Sequence, residues 1–227
     1  MDRSVPLLGT SSAGAGNVLT LARFGGNDVE MKEPNGTTDR RRKEIQHFDE
    51  PGHAHFLTFS CYRRLPLLGK DRSRGWLIEA ILAARRKHGF DLWAWVAMPE
   101  HVHLLVWPKQ PDYRMQTILA DIKRPVGQEA IAWLEANHPE FLEKLTVRNR
   151  NRTYRRFWQA GPGQDRNIFD PNAAHDIVEY IHTNPVQRGL VTLPEQWAWS
   201  SAANWAGKED VPLKVDKTLP SITEFLT

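Results

Sequence analysis

Apolar and polar residues begin to alternate at His53. His55, Leu57, Phe59 and Cys61 fall on one side of an extended chain and Phe56, Thr58, Ser60 and Tyr62 on the other, a period of two that predicts a strand. From about Ser73 the period lengthens: Leu77, Ile81 and Ala84 recur at helical spacing, Arg85, Arg86 and Lys87 gather in the last turn, and Gly89 supplies the ending, which predicts a helix over 73–88. Two apolar runs, 91–98 and 101–107, are separated only by Pro99-Glu100 and predict a hairpin of antiparallel strands. So short a connection excludes a parallel crossover. A helix is expected from Tyr113 to about Asn137, with Met115, Ile118, Leu119 and Ile122 in one stripe and Ile131 and Leu134 in another; Pro125 should kink or split it. Asp170-Pro171 predicts a last helix, since aspartate can cap free amides and proline suits the first helical position. That helix should end near Asn184, because the residue before Pro185 is pushed away from helical angles. Strand, helix, hairpin, helix and helix together predict an α+β sandwich, a mostly antiparallel sheet with helices on one face.

The chain before this pattern reads differently. Residues 1–48 open with a Gly/Ser/Ala/Asn-rich stretch, hold one short apolar patch at Val18–Phe24 and finish in the charged run Asp39-Arg40-Arg41-Arg42-Lys43-Glu44. They are expected to form a poorly ordered extension, with a domain over 49–207 and a tail over 208–227. The 227 residues are 41% hydrophobic and 25% charged with a mean hydropathy of −0.53, and no apolar run approaches the ~18 residues of a membrane span. Cys61 is the lone cysteine, which excludes an intramolecular disulfide, a Cys-rich zinc site and the Cys pair of a zinc-dependent nucleobase deaminase. A reducing, cytoplasmic setting is expected. Lys and Arg exceed Asp and Glu by 30 − 27 = 3, and the pI is near 9.1, a balance compatible with a polyanionic partner.

Two local patterns can carry chemistry. His101-Val102-His103 sits on a predicted strand, where residues two apart point the same way, so two imidazoles are offered to one ion. The same spacing equally suits a pair of hydrogen-bonded histidines, and spacing alone leaves both readings open. On the last helix, Tyr180 and Asn184 are four apart and share a face beside the apolar stripe Ala174, Ile177, Val178 and Ile181, with Asp176 a turn earlier. Alone, they read as a half-buried tyrosine and a helix-ending asparagine. Basic residues interleave with aromatics from Arg148 to Trp158: Arg148, Arg150, Arg152, Arg155 and Arg156 beside Tyr154, Phe157 and Trp158, a mixture suited to phosphate contact and base stacking. Lys123-Arg124 and Arg63-Arg64 are further candidates for nucleic-acid contact, while Phe157 and Trp158 themselves are expected in the core.

Taken together, the strings Met98-Pro99-Glu100-His101-Val102-His103-Leu104-Leu105-Val106, Phe157-Trp158-Gln159, Tyr180-Ile181-His182-Thr183-Asn184-Pro185-Val186, Arg188-Gly189-Leu190-Val191 and Trp199-Ser200-Ser201-Ala202 resemble the single-tyrosine HUH transposases of bacteria. Within them the chain is most similar to the REP-associated tyrosine transposases, from about His53 to Trp205 and in the family's order. The resemblance implies a ferredoxin-like or RRM-like α+β fold and cleavage and rejoining of single-stranded DNA, often beside a hairpin or palindromic repeat, through a 5′-phosphotyrosine intermediate. It implies Tyr180 as nucleophile and His101, His103 and Asn184 as ligands of a divalent ion, Mg²⁺ or Mn²⁺. The enzyme would act as a monomer or a homodimer, with no membrane partner. No GxxxxGK[ST] phosphate loop is present, and a covalent intermediate that conserves the phosphodiester bond needs none. The chain departs from the family pattern between Trp158 and Asp165, where Gly161-Pro162-Gly163-Gln164 stands in place of an aromatic residue just before the aspartate. Two other readings compete: a non-catalytic binder of nucleic-acid hairpins that keeps the scaffold with an idle tyrosine, and a metal-dependent hydrolase that uses an activated water.

Overall fold

The computed structural model describes residues 49–221. The expectation for 1–48 therefore lies outside the described residues, as do residues 222–227 of the expected tail.

Alternation in the chain becomes strand β1 (Ala54–Ser60), and the helical stripe that follows becomes α1 (Asp71–His88). Helix α1 ends on Gly89, whose φ of 63° is the left-handed geometry that glycine adopts without a side-chain penalty. The two apolar runs are β2 (Phe90–Ala97) and β3 (His101–Pro108), paired antiparallel as expected, with a bulge between Leu92 and Ala94. Helix α2 (Met115–Asn137) runs unbroken through Pro125, contrary to the expected kink or split. Pro125 is exposed, while Ile118, Leu119, Ile122, Val126 and Ala130 bury one continuous stripe against the sheet; that tertiary burial offsets the lost backbone hydrogen bond. A short helix α3 (Leu142–Leu145) leads into the small hairpin of β4 (Thr146–Asn149) and β5 (Arg152–Arg155). Strand β6 (Gln164–Ile168) returns to the main sheet, followed by α4 (Pro171–Gln187) and the single turn α5 (Ala202–Trp205).

The main sheet has the order β2-β3-β1-β6 with every pairing antiparallel, the ferredoxin-like arrangement of a β1-α1-β2-β3-α2-β6 chain. Helices α1 and α2 pack together on one face over Leu57, Phe59, Trp95, Val102 and Leu104. The expectation of helices on one face holds for these two and fails for α4, which lies on the opposite face, where Ala174, Ile177, Val178 and Ile181 cover Trp93, Ala94, Val96, Met98 and Leu105. The physical reason is legible in β2 and β3: nearly every residue of both strands is buried, so the sheet there needs cover on both sides. Helix α4 also passes through Pro185 and ends at Gln187, three residues beyond its expected end at Asn184. Its start is as expected, with the Asp170 carboxylate accepting from the Asn172 amide at 3.0 Å.

Residues 208–221, expected as a tail, are packed against β2. Leu213 and Val215 are buried in the same cluster as Trp95, the Leu92 amide donates to Asp216 Oδ2 and the Asp216 amide to the Leu92 carbonyl, both at 2.9 Å. The Trp93 indole donates to Thr218 Oγ1, and Arg85 pairs with Asp216. Strand β2 is an edge of the sheet, and this strap, with Trp199 and Ser201 bonding to Ala97 and Trp95, occupies hydrogen-bonding groups that an open edge would leave free. At the other end of the sheet, Gly163 has φ +95°, and a Cβ there would meet the Thr58 carbonyl oxygen at 2.2 Å, so only glycine lets the chain enter β6 so close to β1.

Candidate active site and nucleic-acid interface

Strand β3 turns Val102 and Leu104 toward α1 and α2, and so turns His101 and His103 toward the α4 face. Their rings meet edge to face with centroids 4.7 Å apart. Each imidazole is held through Nδ1: His103 by Thr58 Oγ1 on β1 at 2.8 Å, and His101 by Glu100 Oε1 at 3.2 Å. The Nε2 of His103 faces α4, where the Asn184 side chain donates from Nδ2 at 3.4 Å. Asn184 is buried, and its Oδ1 has no hydrogen-bond partner among the described residues. A buried amide oxygen without a donor is costly, by about 1–3 kcal/mol, and marks a position built for something else.

Tyr180, one turn earlier on α4, brings its ring to 5.4 Å from that of His103 and 5.9 Å from that of Phe56, both edge to face. It is 40% exposed, so the site opens to solvent on this side. The four residues separated by up to 83 positions in sequence thus form one cluster. Asp176 is exposed a turn before Tyr180, and among the described residues no contact joins it to the phenol.

Burial is the main force on the imidazoles. It lowers the His103 pKa to about 3, with the charges of His101 and Arg64 adding to it. His101 is also lowered, by burial first, against the opposing pull of Glu100. Both rings are therefore neutral at neutral pH and offer lone pairs. For the Glu100 carboxyl, burial pushes upward, but the hydrogen bond from Arg188 and the charges of His101 and Arg188 outweigh it, and the group lies below the usual carboxylate range. The Arg188 Nη1 bond to Glu100 Oε1 is 2.6 Å and ties the C-terminal cap of α4 to the histidine strand. Glu100, Arg188, Thr58 and Phe56 were not singled out by sequence. Glu100 and Arg188 stand inside the conspicuous strings and were legible there; Thr58 and Phe56 join the site only through the pairing of β1 with β3.

No model of a known protein family matches the chain. A Haemophilus influenzae protein provisionally named as a REP-associated tyrosine transposase is 24% identical over 165 residues, 65% of this chain and 88% of that protein. A solved structure of a REP-associated tyrosine transposase bound to a REP hairpin superposes with a TM-score of 0.56 at 20% identity, over 80% of this chain and 96% of that one. The chain is similar to the REP-associated tyrosine transposases. A provisionally named transposase from Deinococcus radiodurans superposes at a TM-score of only 0.37 with 16% identity, over 66% of this chain and 95% of that one, too loose a fit to bear on the fold.

The basic candidates divide into two groups. Arg63 and Arg64 are exposed, Arg64 close enough to the histidine pair for its charge to act on both rings, and both have positive φ (54° and 56°), a strained backbone for non-glycine residues. The Arg63 amide is held by Gln159 Oε1 at 3.2 Å. Lys123, Arg124, Arg148, Arg155 and Arg156 line, with Tyr154, a groove of about 1150 Å³ between α2 and the β4–β5 hairpin. Arg148 is paired with Glu143 through both guanidinium branches and Arg155 with Glu135, so these two are already matched by carboxylates. Arg152 lies over the Tyr154 ring at 4.6 Å, Arg156 donates to the Tyr154 hydroxyl, and Arg150 is exposed at the hairpin turn. Phe157 and Trp158 are in the core as expected, the Trp158 indole donating to the Lys123 carbonyl at 2.7 Å.

Lys123 differs from its neighbours. Its Nζ donates to the Gly161 carbonyl at 2.9 Å, and burial lowers its pKa from 10.5 to about 8. Between pH 8 and 10.5 the unfolded chain keeps this proton and the folded chain does not, so raising the pH favours the fold. Stability of the native chain relative to Lys123→Met should therefore rise across that window, with a slope of up to about 1.4 kcal/mol per pH unit, and be flat below it. Urea midpoints for both proteins at half-unit steps from pH 7 to 10 measure this; parallel curves would disprove it.

Proposed function

We propose that the chain cleaves and rejoins single-stranded DNA next to a hairpin, with Tyr180 as the nucleophile. The observation that carries this reading is the packing of the Tyr180 ring against His103, whose other side meets the buried Asn184, an amide with no donor to its oxygen among the described residues. The donor set fits a hard or borderline divalent cation: two neutral imidazoles with Nδ1 engaged, the His103 Nε2 meeting only the Asn184 Nδ2 at 3.4 Å, plus one amide oxygen. His101, His103 and Asn184 would hold it. Such an ion supplies charge neutralisation and orientation to a bound phosphodiester.

In the cleavage step the Tyr180 oxygen bonds to phosphorus, the P–O3′ bond breaks, and the chain retains the 5′-phosphate while the 3′-hydroxyl leaves. The phenolic proton passes to solvent, which reaches this half-exposed ring, and the departing 3′ oxygen takes up a proton. Attack by a 3′-hydroxyl on the phosphotyrosine reverses the sequence on a new end, so no external energy source is consumed. The REP hairpin bound by the structural neighbour supports a hairpin with single-stranded flanks as the substrate. A covalent adduct between the full chain and labelled DNA of that form, in Mn²⁺ and dependent on Tyr180, tests the reading. DNA retained without adduct would instead favour the non-catalytic binder.

Glu100 serves this site as a positioning residue, since its carboxylate both orients His101 and receives Arg188. Glu100→Gln should weaken Mn²⁺ binding by about tenfold to a hundredfold, read by electron paramagnetic resonance of the free ion, with little change in unfolding midpoint. Unchanged Mn²⁺ affinity would remove Glu100 from this role.

A further inference from the structure

The two imidazoles are held by chemically unlike partners. His101 Nδ1 meets Glu100 Oε1, a carboxylate paired with Arg188 that can only accept, so the hydrogen of the neutral His101 ring lies on Nδ1 and its lone pair on Nε2. His103 Nδ1 meets Thr58 Oγ1 at 2.8 Å, and a hydroxyl can either accept or donate. This bond alone does not fix which nitrogen of His103 carries the hydrogen.

The surroundings of the ring fix it. Strand register sets Thr58 of β1 and Val96 of β2 on either side of His103, and Val96 offers only methyl groups. Facing residues have Cβ atoms roughly 5 Å apart, a gap that a hydroxyl on Cβ spans to Nδ1, the near nitrogen of the ring, and not to Nε2. Phe56 stacks on the ring at 5.5 Å, while His101 and Tyr180 meet it edge to face at 4.7 and 5.4 Å, so packing opposes the half-turn that would exchange Nδ1 for a carbon. At the far nitrogen Asn184 presents Nδ2, a group that only donates, at 3.4 Å. Nε2 then accepts, and Nδ1 carries the hydrogen and gives it to Thr58, whose own hydroxyl hydrogen reaches water from a half-buried side chain. The same amide orientation leaves the buried Asn184 Oδ1 without a donor among the described residues. The opposite arrangement, with Nε2–H donating to Oδ1 after a half-turn of the amide and the Thr58 hydroxyl donating to Nδ1, would satisfy that oxygen and take both lone pairs out of use.

We propose that Thr58 is a positioning residue for this site: by accepting from Nδ1 it keeps His103 in the tautomer whose Nε2 lone pair, together with the Asn184 oxygen, is free for a divalent cation. The inference rests on the reading of these residues as a divalent-ion site and deepens it. Without the hydroxyl, Nδ1–H has no partner on either neighbouring strand, and the ring does better with its hydrogen on Nε2, given to Asn184 Oδ1. Thr58→Val keeps the branched shape that suits a strand, and it should close the site on itself rather than merely loosen it. Thr58→Ser keeps the hydroxyl and should behave as the native chain.

The test pairs ¹⁵N nuclear magnetic resonance of the histidine rings, in the metal-free full chain at neutral pH, with a Mn²⁺ titration read by electron paramagnetic resonance. The native chain and Thr58→Ser should show the His103 hydrogen on Nδ1, and Thr58→Val should show it on Nε2. Mn²⁺ binding should weaken about tenfold to a hundredfold in Thr58→Val and stay within about threefold of native in Thr58→Ser. Thr58→Ala should repeat the Thr58→Val result, which guards against a variant that does not fold. A hydrogen on Nε2 in the native chain overturns the proposal whatever the variants do. So does a Thr58→Val or Thr58→Ala protein that keeps the hydrogen on Nδ1, or one that moves it yet binds Mn²⁺ as the native chain does. A native chain that binds no Mn²⁺ removes the divalent-ion reading and this proposal with it, whereas the tautomer outcomes overturn the proposal alone.

Discussion

Tyr180→Phe is expected to lower formation of the covalent protein–DNA adduct by on the order of 10³-fold or more, to background, while leaving the fold and DNA binding in place. The substitution deletes one oxygen and nothing else. The phenylalanine ring keeps the edge-to-face contacts with His103 and Phe56, and α4 keeps its apolar stripe and its cap. At 40% exposure the lost hydroxyl leaves no buried orphan, so stability should stay within about 0.5 kcal/mol. Denaturing gels of labelled DNA measure the adduct, and fluorescence anisotropy measures binding. Nicking that persists in Tyr180→Phe would identify water as the nucleophile and return the hydrolase reading; an adduct that persists would move the nucleophile to another residue.

Trp95→Ala should cost about 3–5 kcal/mol, a large part of the 5–15 kcal/mol that holds a typical domain together. Trp95 is fully buried at the centre of β2, and it joins three parts of the molecule. Its ring packs in the cluster with α1 and α2, its amide donates to Ser201 Oγ at 2.9 Å, and its indole donates to the Leu213 carbonyl at 3.1 Å. Removing the ring leaves a cavity and strips a buried carbonyl of its donor. For a protein of this size the melting temperature should fall by roughly 6–20 °C, and the amide of Asp216, bonded to Leu92, should lose hydrogen-exchange protection more than amides of β1. A shift below about 3 °C would show that the strap over β2 does not depend on this ring.

Period-two and helical patterns located β1, α1, the β2–β3 hairpin, α2 and α4, because each pattern is a property of one element and its burial. Proline misled twice. Pro125 and Pro185 each lie within a helix whose packing outweighs one missing hydrogen bond, and local rules do not contain that packing. The arginines show the same limit on the charge side. Composition makes Arg148 to Arg156 a phosphate-binding run, yet Glu143 and Glu135 meet two of them.

What the sequence by itself determined is the supply of chemistry at fixed spacing: two imidazoles on one side of a strand, a phenol and an amide on one side of a helix, and a lone cysteine that closes off other sites. Only the tertiary structure decided that these two sides face each other. That choice comes from the double-sided burial of β2 and β3, which draws α4 onto the histidine face, and from strand register, which sets Thr58 on His103. Such contacts span 45 residues or more of chain, and they follow from the burial and hydrogen bonding of the whole sheet rather than from any stretch of it.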